Sequence, residues 1–296
     1  MLFSIVIPNL NSPVVDRTIT SLEIQEFDRS QYEVIVVGMD RLGLVRESQL
    51  VRFDRSDSPL SPAQARNQGA NHSNGEIIAF IDADCVAAPD WLSILGERFK
   101  DPNVAVVGGG IEFEKRNYWT ISDNLSMFYE YLAFHPAGER RQLPSLNLAI
   151  RRSIFIELGG FDERYPRPSG EDADLTIRLR YKGYCLHFEP DAVIYHLPPR
   201  DSFKDLLRHA YYQGQYSTKM DPRYSATESL PGLLHTRAGV LLFAPLLAAA
   251  STLRIYRLSK SLWRYWLSAP AIYLAKLAWC IGASQHAILG NNHGGN

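Results

Sequence analysis

The chain has 296 residues, 46% of them apolar, and a formal net charge of −1, so it can bury a substantial core and has no overall charge that directs it to one class of partner. The three cysteines, Cys85, Cys185 and Cys280, lie far apart without zinc or redox spacing, which predicts packing roles in a reducing compartment. The first apolar run lacks a preceding basic region and is interrupted by Pro8, which predicts a first strand of a cytosolic domain and not a signal peptide.

Apolar stretches alternate with amphipathic stretches along the first 110 residues. The pattern predicts strands at residues 3–7, 33–37, 77–81 and 104–108, and helices at 14–25, 62–73 and 89–100. Ser61 and Pro62 are the expected N-cap and first residue of the second helix. Strands and helices that alternate with short connections predict an α/β fold with a parallel sheet covered by helices.

Two aspartates, Asp82 and Asp84, follow the apolar run at residues 77–81. An isolated Asp-x-Asp is often only a polar strand exit, but it can also hold Mg²⁺ or Mn²⁺, which prefer oxygen ligands. In parallel sheets, ligands bind beyond the carboxyl ends of the strands. Because Asn9 and Asn11 follow the first strand at the same end of the sheet, the sequence predicts a nucleotide site there.

The C-terminal tail, residues 229–296, contains no Asp or Glu. Its basic residues are Arg237, Arg254, Arg257, Lys260, Arg264 and Lys276. Because these residues lie among apolar runs at 238–253 and 265–289, anionic lipid is a better partner than nucleic acid, which we do not expect. Positive charge on both sides of the first run disfavours one spanning helix. Interfacial or re-entrant helices at the cytoplasmic face are predicted, and the alternative is a pair of ordinary buried helices.

Five motifs in a fixed order resemble those of glycosyltransferase family 2 over roughly residues 3–215. They are SIVIPNLN at 4–11, ARNQGA at 65–70, GEIIAFIDADC at 75–85, LGGFDERY at 158–165 and GEDADLTIRL at 170–179. The resemblance implies the GT-A fold, a mostly parallel twisted sheet flanked by helices, here with an apolar and basic helical tail. It also implies inverting sugar transfer from a nucleotide-diphosphate sugar.

The implied division of the chain has two parts. Residues 1–228 would form the catalytic domain, with a nucleotide-sugar half at about 1–110 and an acceptor half at about 111–228. Residues 229–296 would form a membrane-associating helical tail. The catalytic domain would be cytoplasmic and peripheral or monotopic at the membrane.

The resemblance assigns residues to the donor side of the site. Asp84 would ligate Mn²⁺ or Mg²⁺, with His196 as a second ligand or diphosphate contact. Asp82 would face the ribose or base, and Arg66 the base or phosphate. The remaining donor contacts would be Pro8, Asn9 and Asn11. The alternatives are a loop role for His196 and a helix-surface position for Arg66.

The resemblance also assigns the acceptor side. Asp172 would be the base that removes the acceptor hydroxyl proton, with Glu171 beside it as an acceptor contact or orienting group. Further acceptor contacts would be Ser145, Asn147, Gly160, Phe161 and Asp174. Mutual repulsion of these neighbouring acids would raise one pKa, although acidic residues are also common at a helix N-terminus.

One segment departs from the family pattern. The second strand ends in VIVVGMDRLG at 34–43, which retains a single acid, Asp40, as a candidate contact to the base. The glycines at 108–110 lack the spacing of a dinucleotide motif, so we expect close backbone packing there.

Three functions compete at this point. The leading hypothesis is a glycosyltransferase with a lipid-linked or polysaccharide acceptor. A non-catalytic scaffold that binds sugar nucleotides is a second. A nucleotidyltransferase is a third, but it needs a Gly-rich basic loop after the first strand, which NLNSPVVD at 9–16 does not provide.

Overall fold

The computed structural model of the protein describes residues 1–113, 117–224, 234 and 236–286. The chain divides into two compact units. The first comprises Met1–Lys115, Phe128–Glu163 and Glu171–Pro199, and the second comprises Arg116–Met127, Arg164–Gly170 and Arg200–Asn296. The predicted domain boundary between residues 228 and 229 lies outside the described residues.

The helices and strands are numbered in chain order. The strands are β1 Phe3–Leu10, β2 Tyr32–Met39, β3 Val51–Arg55, β4 Ile77–Ile81, β5 Cys85–Ala87, β6 Val106–Phe113, β7 Gly138–Glu139, β8 Asn147–Arg151 and β9 Leu186–His196. The α-helices are α1 Val15–Glu23, α2 Pro62–Asn71, α3 Trp91–Phe99, α4 Tyr118–Phe128, α5 Arg152–Glu157, α6 Glu171–Tyr181, α7 Phe203–Gln215, α8 Arg237–Leu258 and α9 Ala269–Ser284.

The strands of the first unit form one sheet in the order β3-β2-β1-β4-β8-β6-β9-β5, with β7 paired to β9. The neighbours from β3 to β4 are parallel, as the alternating pattern predicts. Beyond β4 the sheet is mixed, since β8 is antiparallel to both β4 and β6 whereas β6 and β9 are parallel. The predicted α/β class with helices flanking the sheet is confirmed, although parallel pairing is not uniform across it.

The sheet is covered on both faces because neighbouring residues of its central strands point to opposite sides. Ile5 and Ile7 pack in one apolar cluster with residues of α1 and α3, whereas Val6 packs in another with residues of α2 and α6. Burial on both faces explains the uninterrupted apolar run of β4. The end of the apolar run therefore marks the end of the buried strand, where polar residues begin.

Helix α2 is fixed at its N-terminus by a capping box. The Ser61 side chain accepts a hydrogen bond from the Gln64 backbone N–H, and the Gln64 side chain accepts one from the Ser61 N–H. Pro62 occupies the first turn, as predicted. At Gly69 an added Cβ would overlap the Val6 side chain, so glycine lets α2 lie close against β1. Arg66, three residues earlier in α2, thereby lies near the carboxyl end of the sheet, beside Asp82.

The glycines of β6 confirm the predicted close packing. A Cβ at Gly109 would overlap the carbonyl oxygen of Ala192, and one at Gly110 would overlap that of Pro190. Both partner residues belong to β9, whose pairing with β6 shifts register between Gly109 and Ile111. These glycines therefore serve strand packing and not phosphate binding.

The second unit is helical in its described residues. Leu206 and Ala210 of α7 pack against Ala271 and Ala275 of α9. The tail contains α8, a 3₁₀ segment at Lys260–Ser268 and α9, which confirms the predicted helical tail. Arg237–Leu258 and Lys260–Ser284 could each cross a membrane by length and composition alone.

Candidate active site

Asp82 and Asp84 lie at the carboxyl end of β4, in the first unit. All five residues of β4 are buried, but the two aspartate side chains are 30% and 19% exposed. The chain turns after Ile81 and continues into β5, so both carboxylates lie at the edge of the sheet. The next strand of the sheet, β1, ends on the same side with Asn9 and Leu10, since β1 and β4 are parallel.

Arg66 connects Asp82 to Glu171. Its guanidinium Nη2 is 2.6 Å from Asp82 Oδ1, and Nη1 is 2.9 Å from Glu171 Oε1. The Arg66 side chain is only 2% exposed. Burial alone lowers the pKa of Arg66, but the charges of Asp82 and Glu171 outweigh it and raise the pKa. The structure thus places Arg66 between two carboxylates and not on the helix surface.

Two atoms of this ion-pair network lack a hydrogen-bond partner within the described part of the chain. They are Arg66 Nε and Glu171 Oε2, both buried. Buried polar atoms are normally satisfied by protein, water or ligand. Arg66 Nε and Glu171 Oε2 are therefore the atoms of the network at which water or a ligand would complete the hydrogen bonding.

Asp172 lies in the first turn of α6, in the first unit. Its Oδ2 accepts a hydrogen bond from the Ser145 backbone N–H at 3.2 Å, and its Oδ1 accepts one from the Ala173 N–H at 2.8 Å. Burial raises the pKa of Asp172, and the positive charge of Arg66 partly offsets the effect. The carboxyl group is therefore better suited to accept a proton than an exposed aspartate.

Glu171 shows a similar effect. Burial raises the pKa of Glu171, and the neighbouring charge of Asp172 adds to it. The sequence predicts a raised pKa among these acids from mutual repulsion, but burial is the larger cause. Glu171 lies at the N-terminus of α6 and also belongs to the ion-pair network. The two interpretations of these acids, a helix N-terminus and a functional cluster, are therefore compatible.

Asp84, Cys85 and His196 form a group of potential metal ligands. One ligand atom from each lies within 4.8 Å of the others, and His196 Nε2 is 3.8 Å from Asp84 Oδ2. The antiparallel pairing of β5 with β9 places Cys85 directly opposite His196. His196 is 3% exposed, and the Phe128 ring packs against its imidazole edge-on. A carboxylate and an imidazole are suitable ligands for Mn²⁺, so the predicted metal ligands Asp84 and His196 fit a divalent cation.

The loop after β1 is shaped by its asparagines. Asn9 Nδ2 donates to the Met39 carbonyl at 2.9 Å, and Asn11 Oδ1 accepts from the Arg41 backbone N–H at 2.7 Å. Asn11 has a φ of 57°, which asparagine tolerates better than most residues. Pro8 lies within β1, opposite Val37 of β2. These residues connect the ends of β1 and β2.

Asp40 follows β2 and has one carboxylate oxygen engaged. Its Oδ2 accepts a hydrogen bond from the Val45 N–H at 2.7 Å. Its Oδ1 is buried without a hydrogen-bond partner in the described residues. The single acid at this strand end therefore has one acceptor oxygen that water or a ligand would satisfy.

Two residues predicted to contact the acceptor, Asn147 and Asp174, have partners in the protein interior. Asn147 donates to the carbonyls of Gly110 and Ala192 and accepts from Trp91 Nε1. Asp174 is buried and forms an ion pair with Arg178 at 2.8 Å. The structure therefore brings Ser145 to Asp172 but gives Asn147 and Asp174 structural partners.

The loop at Gly160 and Phe161 is held by Asn67, which the sequence-based assignment omits. The amide of Asn67 donates to the Phe161 carbonyl and accepts from the Phe161 N–H, both at 2.9 Å. Phe161 is buried, and its ring centroid lies 5.1 Å from that of Phe80. Asn67 directly follows Arg66 in the ARNQGA motif, and this position was the signal for Asn67 in the sequence. Asn67 and Arg66 thus connect α2 to the loop at Gly160 and Phe161 and to the N-terminus of α6.

The sequence-based assignment also gave Cys85 only a packing role. All three cysteines are free, with Cys85 and Cys280 buried and Cys185 exposed. The packing prediction is therefore wrong for Cys185, which ends outside the core. For Cys85, the position directly after Asp84 was the signal in the sequence that it lies beside the candidate metal ligands.

Residues 4–159, more than half of the chain, match the sequence model described as "Glycosyl transferase family 2". The chain belongs to glycosyltransferase family 2. It is 27% identical over 221 residues to "Glycosyltransferase AglE" of Haloferax volcanii, covering 72% of this chain and 71% of that protein. It is 33% identical over 160 residues to "Pre-mycofactocin glycosyltransferase" of Mycobacterium tuberculosis, covering 52% of this chain and 33% of that protein.

Solved structures share the fold. A mannosyltransferase from Pyrobaculum calidifontis, in complex with GDP-Man and Mn²⁺, has a TM-score of 0.60 and 21% identity, covering 92% of this chain and 85% of that one. GalNAc-T7 with UDP, GalNAc and Mn²⁺ has a TM-score of 0.55 and 17% identity, covering 78% of this chain and 51% of that one. This family member has the GT-A fold and is a glycosyltransferase that uses a nucleotide sugar.

Proposed function

We propose that this family 2 enzyme transfers a sugar, with inversion, from a nucleotide-diphosphate sugar to a hydroxyl of a lipid-linked or polysaccharide acceptor in the presence of Mn²⁺ or Mg²⁺. The observation that carries the proposal is the arrangement of two groups in the first unit. Asp84 and His196 offer metal ligands, and Asp172 offers a base. Arg66 links the segment of Asp84 to that of Asp172 through its ion pairs with Asp82 and Glu171.

Asp172 acts on the acceptor. Its carboxylate takes the proton of the acceptor hydroxyl while the hydroxyl oxygen attacks the anomeric carbon, and the bond from that carbon to the nucleoside diphosphate breaks. The Ser145 and Ala173 N–H groups orient the carboxylate. Asp84 and His196 would hold a divalent cation, whose positive charge would stabilise the departing diphosphate. Asp40 and the loop at Asn9 and Asn11 hold the nucleoside.

Binding of the donor is expected to stabilise the protein against heat. Among UDP-, GDP- and TDP-sugars tested with Mn²⁺, the cognate donor should raise Tm most, since a ligand at 100 times its Kd adds about 2.7 kcal/mol of stability. Asp84→Ala should abolish the Mn²⁺-dependent part of the shift, whereas Glu97→Ala, at an exposed site on α3, should retain it. If both variants showed the same Mn²⁺-dependent rise in Tm, Asp84 would not be a metal ligand.

The same screen separates the competing classes. A nucleotidyltransferase would be stabilised most by a nucleoside triphosphate with Mn²⁺. A scaffold would bind the sugar nucleotide but show no turnover across a broad acceptor panel. Only a transferase releases nucleoside diphosphate when an acceptor is added.

The proposal of a lipid-linked acceptor is supported by the charge of the second unit. That unit contains 14 Lys and Arg and only five Asp and Glu, a net charge of +9 in a chain whose total is −1. Anionic lipid attracts basic segments at a membrane surface by about 1 kcal/mol per residue. The second unit is therefore the part of the protein suited to an anionic membrane surface.

Helix α8 has the apolar surface that such a location requires. Val240, Ala244 and Ala248 are buried at intervals of four residues, so one face of α8 packs within the protein. Leu242 and Leu246, also one turn apart, are 73% and 68% exposed. A helix with one face packed and an apolar face exposed fits an interfacial position better than a free spanning helix. We infer monotopic association at the cytoplasmic face.

Charges on the exposed face of α8 are expected to weaken membrane binding. The double substitution L242E/L246E removes two leucines from lipid, each worth about 1.5–3 kcal/mol when fully buried. Its binding to vesicles of anionic phospholipid should fall by at least about tenfold. The matched control is Ile24→Glu, at a residue that is 60% exposed in the first unit, and it should bind like the wild type. Equal cosedimentation of all three proteins would reject the α8 surface.

A further inference from the structure

Cys85 lies within the group of metal ligands, although it belongs to the buried apolar cluster of the sheet. Its Sγ is 4.0 Å from Asp84 Oδ1. The pairing of β5 with β9 sets Cys85 opposite His196, so backbone hydrogen bonding holds the two residues together. The backbone position of Cys85 is therefore fixed by the sheet and does not depend on a loop.

The three groups differ in the cations that they prefer. A carboxylate suits hard cations such as Mg²⁺ and Mn²⁺, an imidazole suits Zn²⁺ and Co²⁺ as well, and a thiolate selects softer cations. Tetrahedral Zn²⁺ sites are built from sulfur, nitrogen and oxygen ligands, and catalytic sites have three protein ligands with the fourth position open. Asp84, Cys85 and His196 supply one ligand of each kind.

We propose that Cys85 is a third protein ligand of this centre for Zn²⁺ and Co²⁺, so that Zn²⁺ competes with Mn²⁺ or Mg²⁺ for the site. The inference rests on the proposed metal-dependent function. When Cys85 coordinates, its S–H bond breaks, a sulfur–metal bond forms and the proton passes to solvent. Mn²⁺ and Mg²⁺ depend little on the sulfur, because they prefer the oxygen ligands of Asp84 and the donor diphosphate.

A protein with a single thiol tests the proposal directly. The double substitution C185S/C280S removes the exposed cysteine and the cysteine of α9, leaving Cys85 as the only thiol in the 296-residue chain. Titration of this full-length protein with Co²⁺ should produce a near-ultraviolet thiolate-to-cobalt charge-transfer band. Asp84→Ala or His196→Ala in the same background should weaken the band, because all three residues hold one ion.

Affinities give a second readout. Since loss of even an outer partner of a ligand costs about 10- to 100-fold in metal affinity, adding Cys85→Ser should weaken Zn²⁺ binding by at least about tenfold. Mn²⁺ binding, followed by its electron paramagnetic resonance signal, should stay unchanged and shows that the variant is folded. Zn²⁺ should therefore inhibit transfer at lower concentrations in the single-thiol protein than in the Cys85→Ser variant.

The outcomes separate this inference from the proposed function. If the single-thiol protein binds Mn²⁺ but gives no thiolate band with Co²⁺, Cys85 is not a ligand and the proposed function stands. Equal Zn²⁺ affinities with and without Cys85 would lead to the same conclusion. If none of the proteins binds Mn²⁺ in the presence of the donor, the metal site of the proposed function is itself wrong.

Discussion

Replacement of Asp172 by Asn is expected to lower kcat by about 10²- to 10⁴-fold, the usual contribution of a general base. Asparagine has nearly the same size but cannot take the acceptor proton. Its amide also cannot accept both backbone hydrogen bonds that Ser145 and Ala173 donate to the carboxylate. The Tm shift caused by the donor with Mn²⁺ should remain, because the donor ligands are unchanged. Steady-state kinetics measure the loss.

The matched control is Asp174→Asn, the same change two residues along α6. Asp174 is buried in an ion pair with Arg178, so this variant should lose stability but keep its kcat at a temperature where it is folded. If Asp174→Asn lost as much activity as Asp172→Asn, the base would not be assigned correctly. The pH profile adds a check. Since burial raises the pKa of Asp172, the acidic limb of kcat/KM should lie above the ordinary aspartate pKa of about 3.9.

Replacement of Arg66 by Met is expected to destabilise the fold by about 3–5 kcal/mol at pH 8, because it leaves a buried carboxylate without its partner. Glu171 is the residue affected most, since its side chain is 3% exposed whereas that of Asp82 is 30% exposed. The free energy of unfolding, measured with denaturant, should show the loss.

The loss should depend on pH in a defined direction. A carboxyl group with a raised pKa in the folded state binds its proton more tightly there than in the unfolded chain. The proton bound to Glu171 therefore stabilises the folded state fully below the ordinary glutamate pKa of about 4.3. This stabilisation is lost as pH rises through the folded-state pKa. The Arg66→Met variant should therefore be least stable at high pH. The double variant R66M/E171Q, which removes the buried charge, should recover much of the loss, and no recovery would show that Glu171 is not the unpaired group.

Most of the fold of the first 110 residues could be predicted from local patterns, but β3 and β5 could not. Residues 77–81 are apolar on both faces because both faces of a central strand are covered, and Ser61 with Pro62 marks the start of α2. Strand β3 escaped prediction because three of its five residues, in VRFDR, are charged. The antiparallel insertion of β8 between β4 and β6 depends on long-range pairing, which local periodicity does not contain.

The site could be predicted only in part. The placement of Asp82 and Asp84 follows from where an apolar strand ends, and this is local information. The partners of Arg66 do not follow in that way, because Glu171 lies 105 residues away along the chain. Asn147 and Asp174 resemble acceptor contacts by motif, but their partners Trp91 and Arg178 give them structural roles. Motif position therefore predicted the region, and only packing showed that Asn147 and Asp174 have partners inside the protein.

Acceptor-dependent release of nucleoside diphosphate is the most direct measurement of the central claim. With the cognate nucleotide-diphosphate sugar, Mn²⁺ and a lipid-linked or polysaccharide acceptor, the wild-type protein should release one nucleoside diphosphate for each sugar transferred. Chelation of the metal should stop release, added Mn²⁺ should restore it, and Asp84→Ala should not respond. Release of nucleoside diphosphate at an unchanged rate after chelation, or in Asp84→Ala, would contradict the account.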